Sequence, residues 1–293
     1  MPTTRSGHVA LAGAPNAGKS TLLNALTGAH LAIVSPKAQT TRLPVVGIRT
    51  DAATQYIFHD LPGLLDPRYP MQERMLATAR QRLREVSVIL HLHPAPEAPA
   101  PPFWVQAGLP ELPGVPVLTV YTKGDLLGGA PPPAGLVVAA EQGTGLEALL
   151  ERVRAALPEA EFGYDPEDVG VQPLRFFVTE YVREAAFHLL SDELPYALAA
   201  EVEEFREAAR PVYIRVTLLV ERESQKGIVI GRGGQVLKAI GQHARQRLEA
   251  LLGQPVYLEC WVKVLKNWRR DASALDRLGF PRGESPGRRP DDR

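Results

Sequence analysis

The chain has 293 residues, room for two ordinary domains, each with its own core. Its 33 basic and 33 acidic side chains cancel, so no global field marks it for a nucleic acid or a membrane, and such a signal must come from local clustering. A single cysteine, Cys260, excludes an intrachain disulfide, and no uncharged apolar run approaches the ~18 residues of a membrane span.

In chain order, Met1-Pro2-Thr3-Thr4-Arg5-Ser6 lacks the apolar stretch of a signal peptide. A cytoplasmic location is expected, with peripheral contact at the inner face of the cell membrane left open. The run His8–Ala12 reads as a strand, and Thr21–Leu26, closed by Gly28, as a helix. Between them Gly13-Ala14-Pro15-Asn16-Ala17-Gly18-Lys19-Ser20 fits a phosphate-binding loop. Glycines let backbone N–H groups turn inward around a polyphosphate, and the helix N-terminus adds its positive end. Lys19 can neutralise the outer phosphates and Ser20 can ligate magnesium. A nucleoside triphosphate is the expected ligand.

Four further segments fall in the order a GTPase needs, three of them after strands. Before the strand Val45–Ile48, Gln39-Thr40-Thr41-Arg42 supplies a hydroxyl for magnesium, with Thr41 favoured over Thr40. Strand Gln55–His59 delivers Asp60-Leu61-Pro62-Gly63, whose carboxylate can hold magnesium through water and whose Gly63 N–H can face the terminal phosphate. Lys19, Thr41 and Gly63 are the residues assigned to catalysis, and Ser20, Thr41 and Asp60 those assigned to the metal. Strand Val117–Tyr121 leads to Thr122-Lys123-Gly124-Asp125, where Asp125 can accept both donors of a guanine edge. Strand Leu136–Ala139 leads to Ala140 and Glu141, with a backbone N–H for the guanine oxygen. The nucleotide set thus comprises Gly13, Ala14, Pro15, Asn16, Ala17, Gly18, Lys19, Ser20, Thr21, Asp60, Leu61, Pro62, Gly63, Leu64, Thr122, Lys123, Gly124, Asp125, Ala139 and Ala140.

The alternation over residues 8–157 predicts an α/β fold, a parallel sheet wrapped by helices. Strand Val86–Leu92 and the helix Gly145–Leu157 complete it. Prolines 94, 96, 99, 101 and 102 predict an extended excursion rather than a crossover helix. His91 and His93 share one strand face without a third ligand for a metal.

After the polar stretch 158–173, read as a linker, the character changes. A helix over Leu174–Leu190, strands Ala199–Phe205 and Val212–Glu221, a helix Gln235–Leu252 and a strand Pro255–Leu265 are predicted. Gly231-Arg232-Gly233-Gly234, after Val229-Ile230, is the Gly-x-x-Gly turn of a KH module, which clamps single-stranded backbone. Lys226, Ile230, Gly231, Arg232, Gly233, Gly234, Lys238 and Arg245 form the candidate RNA surface, while Cys260 reads as an inert core thiol. Residues 281–293 carry no apolar pattern and read as a disordered tail.

With Ser35-Pro36-Lys37-Ala38-Gln39-Thr40-Thr41-Arg42 added, these segments resemble the Era GTPase family from about residue 7 to 280. The resemblance implies a P-loop NTPase (Ras-like GTPase) domain at 1–157, a linker at 158–173 and a smaller α+β prokaryotic-type KH domain at 174–280. It also implies GTP/GDP and Mg2+ as ligands, slow intrinsic hydrolysis, and a monomer that engages the 3′ region of 16S rRNA in the 30S ribosomal subunit. Two residues depart from the family pattern: Thr122 replaces the usual Asn, and Ala139 the usual Ser. That Asn normally braces the phosphate loop and the base, so its loss implies reduced nucleotide affinity. Leu64 stands where Ras-like proteins place a water-orienting glutamine, and Asn16 matches a position that either coordinates K+ or braces the loop. Thr122 and Ala139 also motivate a second reading, a nucleotide-independent KH RNA-binding protein with a degenerate GTPase domain, against which stand Lys19, Ser20, Asp60 and Asp125. A third, an ATPase without guanine preference, is opposed by Asp125.

Overall fold

The computed structural model describes residues 4–37, 39–111 and 114–282, so Ala38 and the tail from residue 283 lie outside the described residues. The first half builds a six-stranded sheet from β1 (Arg5–Ala12), β2 (Val45–Thr50), β3 (Thr54–Asp60), β4 (Val88–Pro94), β5 (Val117–Thr122) and β6 (Leu136–Val137), in the order β2-β3-β1-β4-β5-β6. All neighbours pair in parallel except the β2–β3 hairpin. Parallel strands need crossovers, and their helices cover both faces. Val88, Leu90 and Leu92 of β4 share a core with Leu22, Leu23 and Leu26 of α1 (Lys19–Thr27) and Leu149, Leu150 and Val153 of α4 (Leu146–Ala156). Ile89 faces the other layer, with Leu76, Ala79 and Leu83 of α2 (Pro70–Leu83).

The proline-rich segment differs from its expectation. It folds as a 3-10 turn, Ala95–Glu97, and a short helix α3 (Phe103–Ala107) with Phe103 and Ala107 buried. Pro102 precedes α3, where its missing N–H costs no helical bond. The two histidines of β4 explain why this segment stays on the sheet. His91 Nε2 bonds Gln106 Oε1 and His93 Nε2 bonds Glu97 O, both at 2.8 Å, and the His91 ring lies 5.3 Å from that of Phe103. They are polar anchors for the crossover.

Residues 158–173 run back along the first sheet. Val169 O accepts from Ile48 N–H, and the Gln55 side chain clasps the backbone of Gly163 and Tyr164. The segment is fixed by these bonds.

The second half forms α5 (Leu174–Leu189), α6 (Leu194–Ala197), β7 (Ala199–Arg206), β8 (Val212–Val220), α7 (Glu223–Ile230), α8 (Gln235–Leu252) and β9 (Val256–Val264). The sheet runs β7-β8-β9, antiparallel then parallel, so β9 is an edge. Val212, Ile214, Val216, Leu218 and Val220 alternate toward Val182 and Ala186 of α5 and Ile240, Ala244 and Leu248 of α8. The chain then returns to the first half through α9 (Ala272–Arg277), where Trp268, Leu275 and Phe280 pack with Met71 and Met75 of α2. Among the described residues no helix is long and apolar enough to cross a membrane.

Candidate nucleotide site and nucleic-acid interface

The phosphate loop sits at the carboxyl end of β1, the edge of an open parallel sheet where ligands bind. Gly18, at φ 83°, opens α1, and Lys19 is its first residue. Lys19 is buried, and its Nζ donates to Ala14 O at 2.8 Å and Gly13 O at 3.3 Å. Burial lowers its pKa to about 8, against the pull of the Asp60 carboxylate. Ala17 is fully buried in the core beneath the loop. A cavity of about 380 Å³ opens above, lined by Pro15, Asn16, Gly18, Lys19, Ser20, Thr21, Thr41, Gly63 and Lys123, among others.

The three residues assigned to the metal converge. Ser20 Oγ and Thr41 Oγ1 donate to Asp60 Oδ2 at 2.6 and 2.9 Å and lie 2.9 Å from each other. Burial raises the Asp60 pKa, opposed by Lys19 and the two hydroxyls. Asp60 Oδ1 is buried and has no hydrogen-bond partner among the described residues. Two hydroxyls and a carboxylate with an unmet acceptor are a hard-oxygen donor set, and they fit a magnesium ion.

Gly63 lies directly under the loop: a Cβ there would come within 2.9 Å of Pro15 N. Its contribution is therefore made by backbone. Leu61 and Leu64, assigned to the nucleotide set, turn their side chains into the core with Ala10 and Ala12, and the Leu64 N–H donates to Gly13 O at 3.0 Å. Both are supports of the loop, because apolar side chains at this strand end find a core within reach. Pro62 is buried between them.

On the base side, Thr122 is buried and its Oγ1 donates to Ala17 O at 2.8 Å. The hydroxyl reaches the phosphate loop, so a brace is present where Asn was missing. Lys123, at φ 56°, lines the cavity, and Asp125 lies exposed in the turn Gly124–Leu127. Gly124 N–H donates to Val138 O, joining this turn to the next. The Ala139 N–H is taken by Thr144 O at 3.0 Å, so donors on that side come from Ala140 onward. Asn16, at φ 63°, donates from Nδ2 to Pro36 O at 3.1 Å, which ties the loop to the segment before Thr41.

That segment touches the second half directly. Arg42 is buried and donates to Leu198 O at 2.6 Å and to Pro195 O and Tyr196 O at 3.0 Å, carbonyls in and just after α6. Lys37 Nζ donates to Phe187 O and Leu190 O at the end of α5, where carbonyls lack helical partners. Arg183 of α5 donates back to Thr40 O at 2.9 Å. Sequence reading found Thr41 but not this grip, since nothing local in Lys37 or Arg42 names a partner some 150 residues away.

The second candidate site is a groove of about 660 Å³ between α8 and the edge strand β9. Gly234, Lys238 and Arg245 line it, together with Leu237, Gly241, Gln242, Tyr257, Leu258 and Cys260. Cys260 corrects its expectation: it is half-buried on the groove floor, with burial pushing its thiol up to about 12. It is an uncharged wall of the groove. Ile230 packs partly into the core, Lys226 is half-buried on α7, and Arg232 is exposed at the turn. None of these three lines the groove itself. Gly233 and Gly234 have positive φ and open space around them, whereas a Cβ on Gly231 would meet Val236 at 2.5 Å. Gly241, Tyr257 and Leu258 were missed; the signals were a glycine amid a long helix and the alternation of β9.

The "50S ribosome-binding GTPase" family model matches residues 8–123, and the "KH domain" model residues 193–269. The chain is 38% identical to GTPase Era of Heliobacterium modesticaldum, covering 96% of this chain and 98% of that one. It is 39% identical to GTPase Era of Carboxydothermus hydrogenoformans, covering 94% and 98%. A crystal structure of Aquifex aeolicus Era bound to GDP.AlF4- superposes with a TM-score of 0.89 at 36% identity, over 94% of this chain and 99% of that one. A crystal structure of Era in complex with MgGDPNP and nucleotides 1506-1542 of 16S ribosomal RNA gives the same TM-score, identity and coverage. Full-length likeness at this identity, over a GTPase segment and a KH segment in that order, shows that the chain belongs to the Era GTPase family.

Proposed function

We propose that this chain is a GTP-hydrolysing switch that binds the 3′ region of 16S rRNA and acts in assembly of the 30S ribosomal subunit. The observation that carries the switch is the segment 35–42. Thr41 converges on Asp60 and Ser20 while its neighbour Arg42 is anchored to the carbonyls of α6. A change at the phosphate end therefore pulls on the domain that holds the RNA groove. The Era complex with MgGDPNP and 16S rRNA nucleotides supports the choice of ligands.

In this reading residues 1–157 are the GTPase domain, 158–173 the connection, and 174–280 the KH domain. Lys19 holds the outer phosphates, and the Gly63 N–H faces the terminal one. Ser20, Thr41 and, through water, Asp60 would hold Mg2+, which would offset the negative charge that develops during hydrolysis. Asp125 selects guanine, with Ala140 facing the base oxygen. Asn16, whose Oδ1 is not committed to Pro36, is positioned to coordinate K+ beside the phosphates. Arg232, Gly233 and Gly234 take the RNA backbone, while Lys238 and Arg245 flank the bases lying over Cys260. The protein works as a cytoplasmic monomer, with peripheral contact at the inner membrane face compatible with that role.

Calorimetric titration with GTP, GDP and ATP in the presence of Mg2+, paired with anisotropy of an oligonucleotide from the 16S rRNA 3′ end, tests this. GTP and GDP are expected to bind and ATP far more weakly. RNA binding without any guanine-nucleotide binding would favour the nucleotide-independent KH reading, and equal affinity for ATP and GTP would remove the guanine assignment.

A further inference from the structure

Gln72, in the first turn of α2, is 5% exposed and lies outside the lining of the nucleotide cavity. A buried carboxamide needs partners for both its oxygen and its nitrogen. Its Oε1 accepts from the Arg68 N–H at 2.8 Å, and its Nε2 donates to Gln39 Oε1 at 3.0 Å. A backbone N–H can only donate, so the bond from Arg68 settles which way both amides face. The two ends of this bridge differ. Gln39 takes a left-handed φ of 60°, which costs free energy for a residue with a side chain, and it lines the cavity two positions before Thr41. Arg68 lies near the end of the irregular stretch that leads from Gly63 to α2. α2 itself is the fixed support: its Met71 N–H donates to Arg269 O at 3.1 Å, and Met71 and Met75 pack in a core with Trp268.

We infer that Gln72 is a positioning residue for hydrolysis: through Gln39 it holds the segment that carries Thr41 against the segment that leaves Gly63. The inference rests on the proposed nucleotide site, where Thr41 serves the metal and the Gly63 N–H the terminal phosphate. Neither Gln39 nor Arg68 belongs to a helix or strand, so without the bridge each segment must be ordered separately when that phosphate arrives. With the bridge formed, part of that ordering is already in place before the ligand binds. GDP has no terminal phosphate to gather the two segments, so its affinity does not draw on the bridge. The signature of the bridge is therefore a loss confined to GTP and its hydrolysis.

The test uses the full chain. It compares Gln72→Met, which keeps the length and removes donor and acceptor, with Gln39→Asn and with the double variant. Asn tolerates the left-handed φ but falls one methylene short of Gln72. GTP turnover, affinities for GDP and a non-hydrolysable GTP analogue, and thermal unfolding are read together, with Lys19→Ala as control. Each single variant is expected to lower kcat and analogue affinity roughly tenfold and to leave GDP affinity within about threefold of the parent. The double variant should lose no more than either single one, because both break the same bridge. Losses that multiply in the double variant, or unchanged turnover in Gln72→Met, overturn the inference alone. Equal weakening of GDP and the analogue does the same, because it marks a general loosening of the fold. If thermal unfolding shows that Gln72→Met does not fold, Gln39→Asn decides: a loss confined to GTP supports the bridge, and unchanged turnover or an equal loss for GDP overturns it. Normal GTP binding in Lys19→Ala overturns the nucleotide site on which the inference stands.

Discussion

At the scale of single residues, the nucleotide site concentrates its charge in two buried groups with opposite needs. Burial lowers Lys19 and raises Asp60, so each is least comfortable in the charged form that a polyphosphate and a divalent cation require. The ligands supply the missing counter-charges, which makes the site strongly dependent on both. In the proposed site, replacing Lys19 by Ala, or Asp125 by Asn, would remove hydrogen bonds to the nucleotide that involve a charged group. Each should cost about 1.5–3 kcal/mol, a loss of roughly 10–100-fold in GTP affinity by calorimetry. Unchanged affinity in Lys19→Ala would place the phosphates elsewhere. Hydrolysis offers a second residue-level test. Leu64 is buried in the core and cannot orient water, while Asn16 sits at the cavity with one amide hydrogen bond, to Pro36 O. Turnover should be slow and higher in potassium than in sodium, and equal rates in the two salts would remove the cation from the account. Ser20 and Asp60 were legible in the sequence because short motifs at strand ends fix their place, and Thr41 because its segment lies between α1 and β2. Tyr257, Leu258 and Cys260 were not, since their place depends on β9 lying at the sheet edge beside α8.

At the scale of elements, histidines on the first sheet serve packing. His8 Nδ1 and His59 Nε2 lie 2.8 Å apart, with Arg82 and Glu85 nearby and the His59 Nδ1 buried without a partner. Burial first, then His8 and Arg82, lower the His59 pKa from 6.5 to about 4. The unfolded chain then takes up a proton that the folded chain refuses between those values. The stability this neutral histidine contributes is present above pH 6.5 and is lost as the pH falls toward 4, by about 3 kcal/mol at most. Urea unfolding between pH 7.5 and 4.5 should show a shallower acid loss in His59→Gln than in the parent. Parallel profiles would mean that other groups carry the acid sensitivity. β4 shows where sequence reading ran short. Its strand period was clear, but only the fold shows that His91 and His93 donate to Gln106 Oε1 and Glu97 O of a proline-rich crossover. In the second domain, the turn before α8 makes a complementary prediction. Arg232→Asp with Gly233→Asp puts negative charge where the proposed RNA site would take phosphates, and at Gly233 in open space that tolerates the side chain. Asp is also among the few residues that adopt the left-handed φ found at Gly233. RNA affinity should collapse while GTP binding persists, and the parent's RNA binding should weaken with salt in proportion to phosphates neutralised. Undiminished RNA binding in that double variant, with its fold intact, would move the RNA site to another surface.

For the molecule as a whole, the two halves share more than a connection. α5 carries Glu184 to His30, Tyr181 to His30 O and Arg183 to Thr40 O, while Arg74 of α2 reaches Asp276 and Phe280 O. The sequence showed both domains and their order, because each carries its own loop motif between recognisable elements. It could not show the contact, which is made largely to backbone carbonyls and leaves no complementary residue pattern behind. The central claim is that the Thr41–Arg42 segment couples the two sites, and a coupling of this kind is typically worth about 1–3 kcal/mol. The direct measurement is the affinity for the 16S rRNA 3′ oligonucleotide with the protein saturated first by GDP and then by a non-hydrolysable GTP analogue, in the parent and in Arg42→Met. The parent should show affinities that differ roughly 5–150-fold between the two nucleotides, with the ratio falling toward one in Arg42→Met while nucleotide binding is retained. Equal RNA affinity in the two nucleotide states of the parent, or an undiminished ratio in Arg42→Met, would contradict the account.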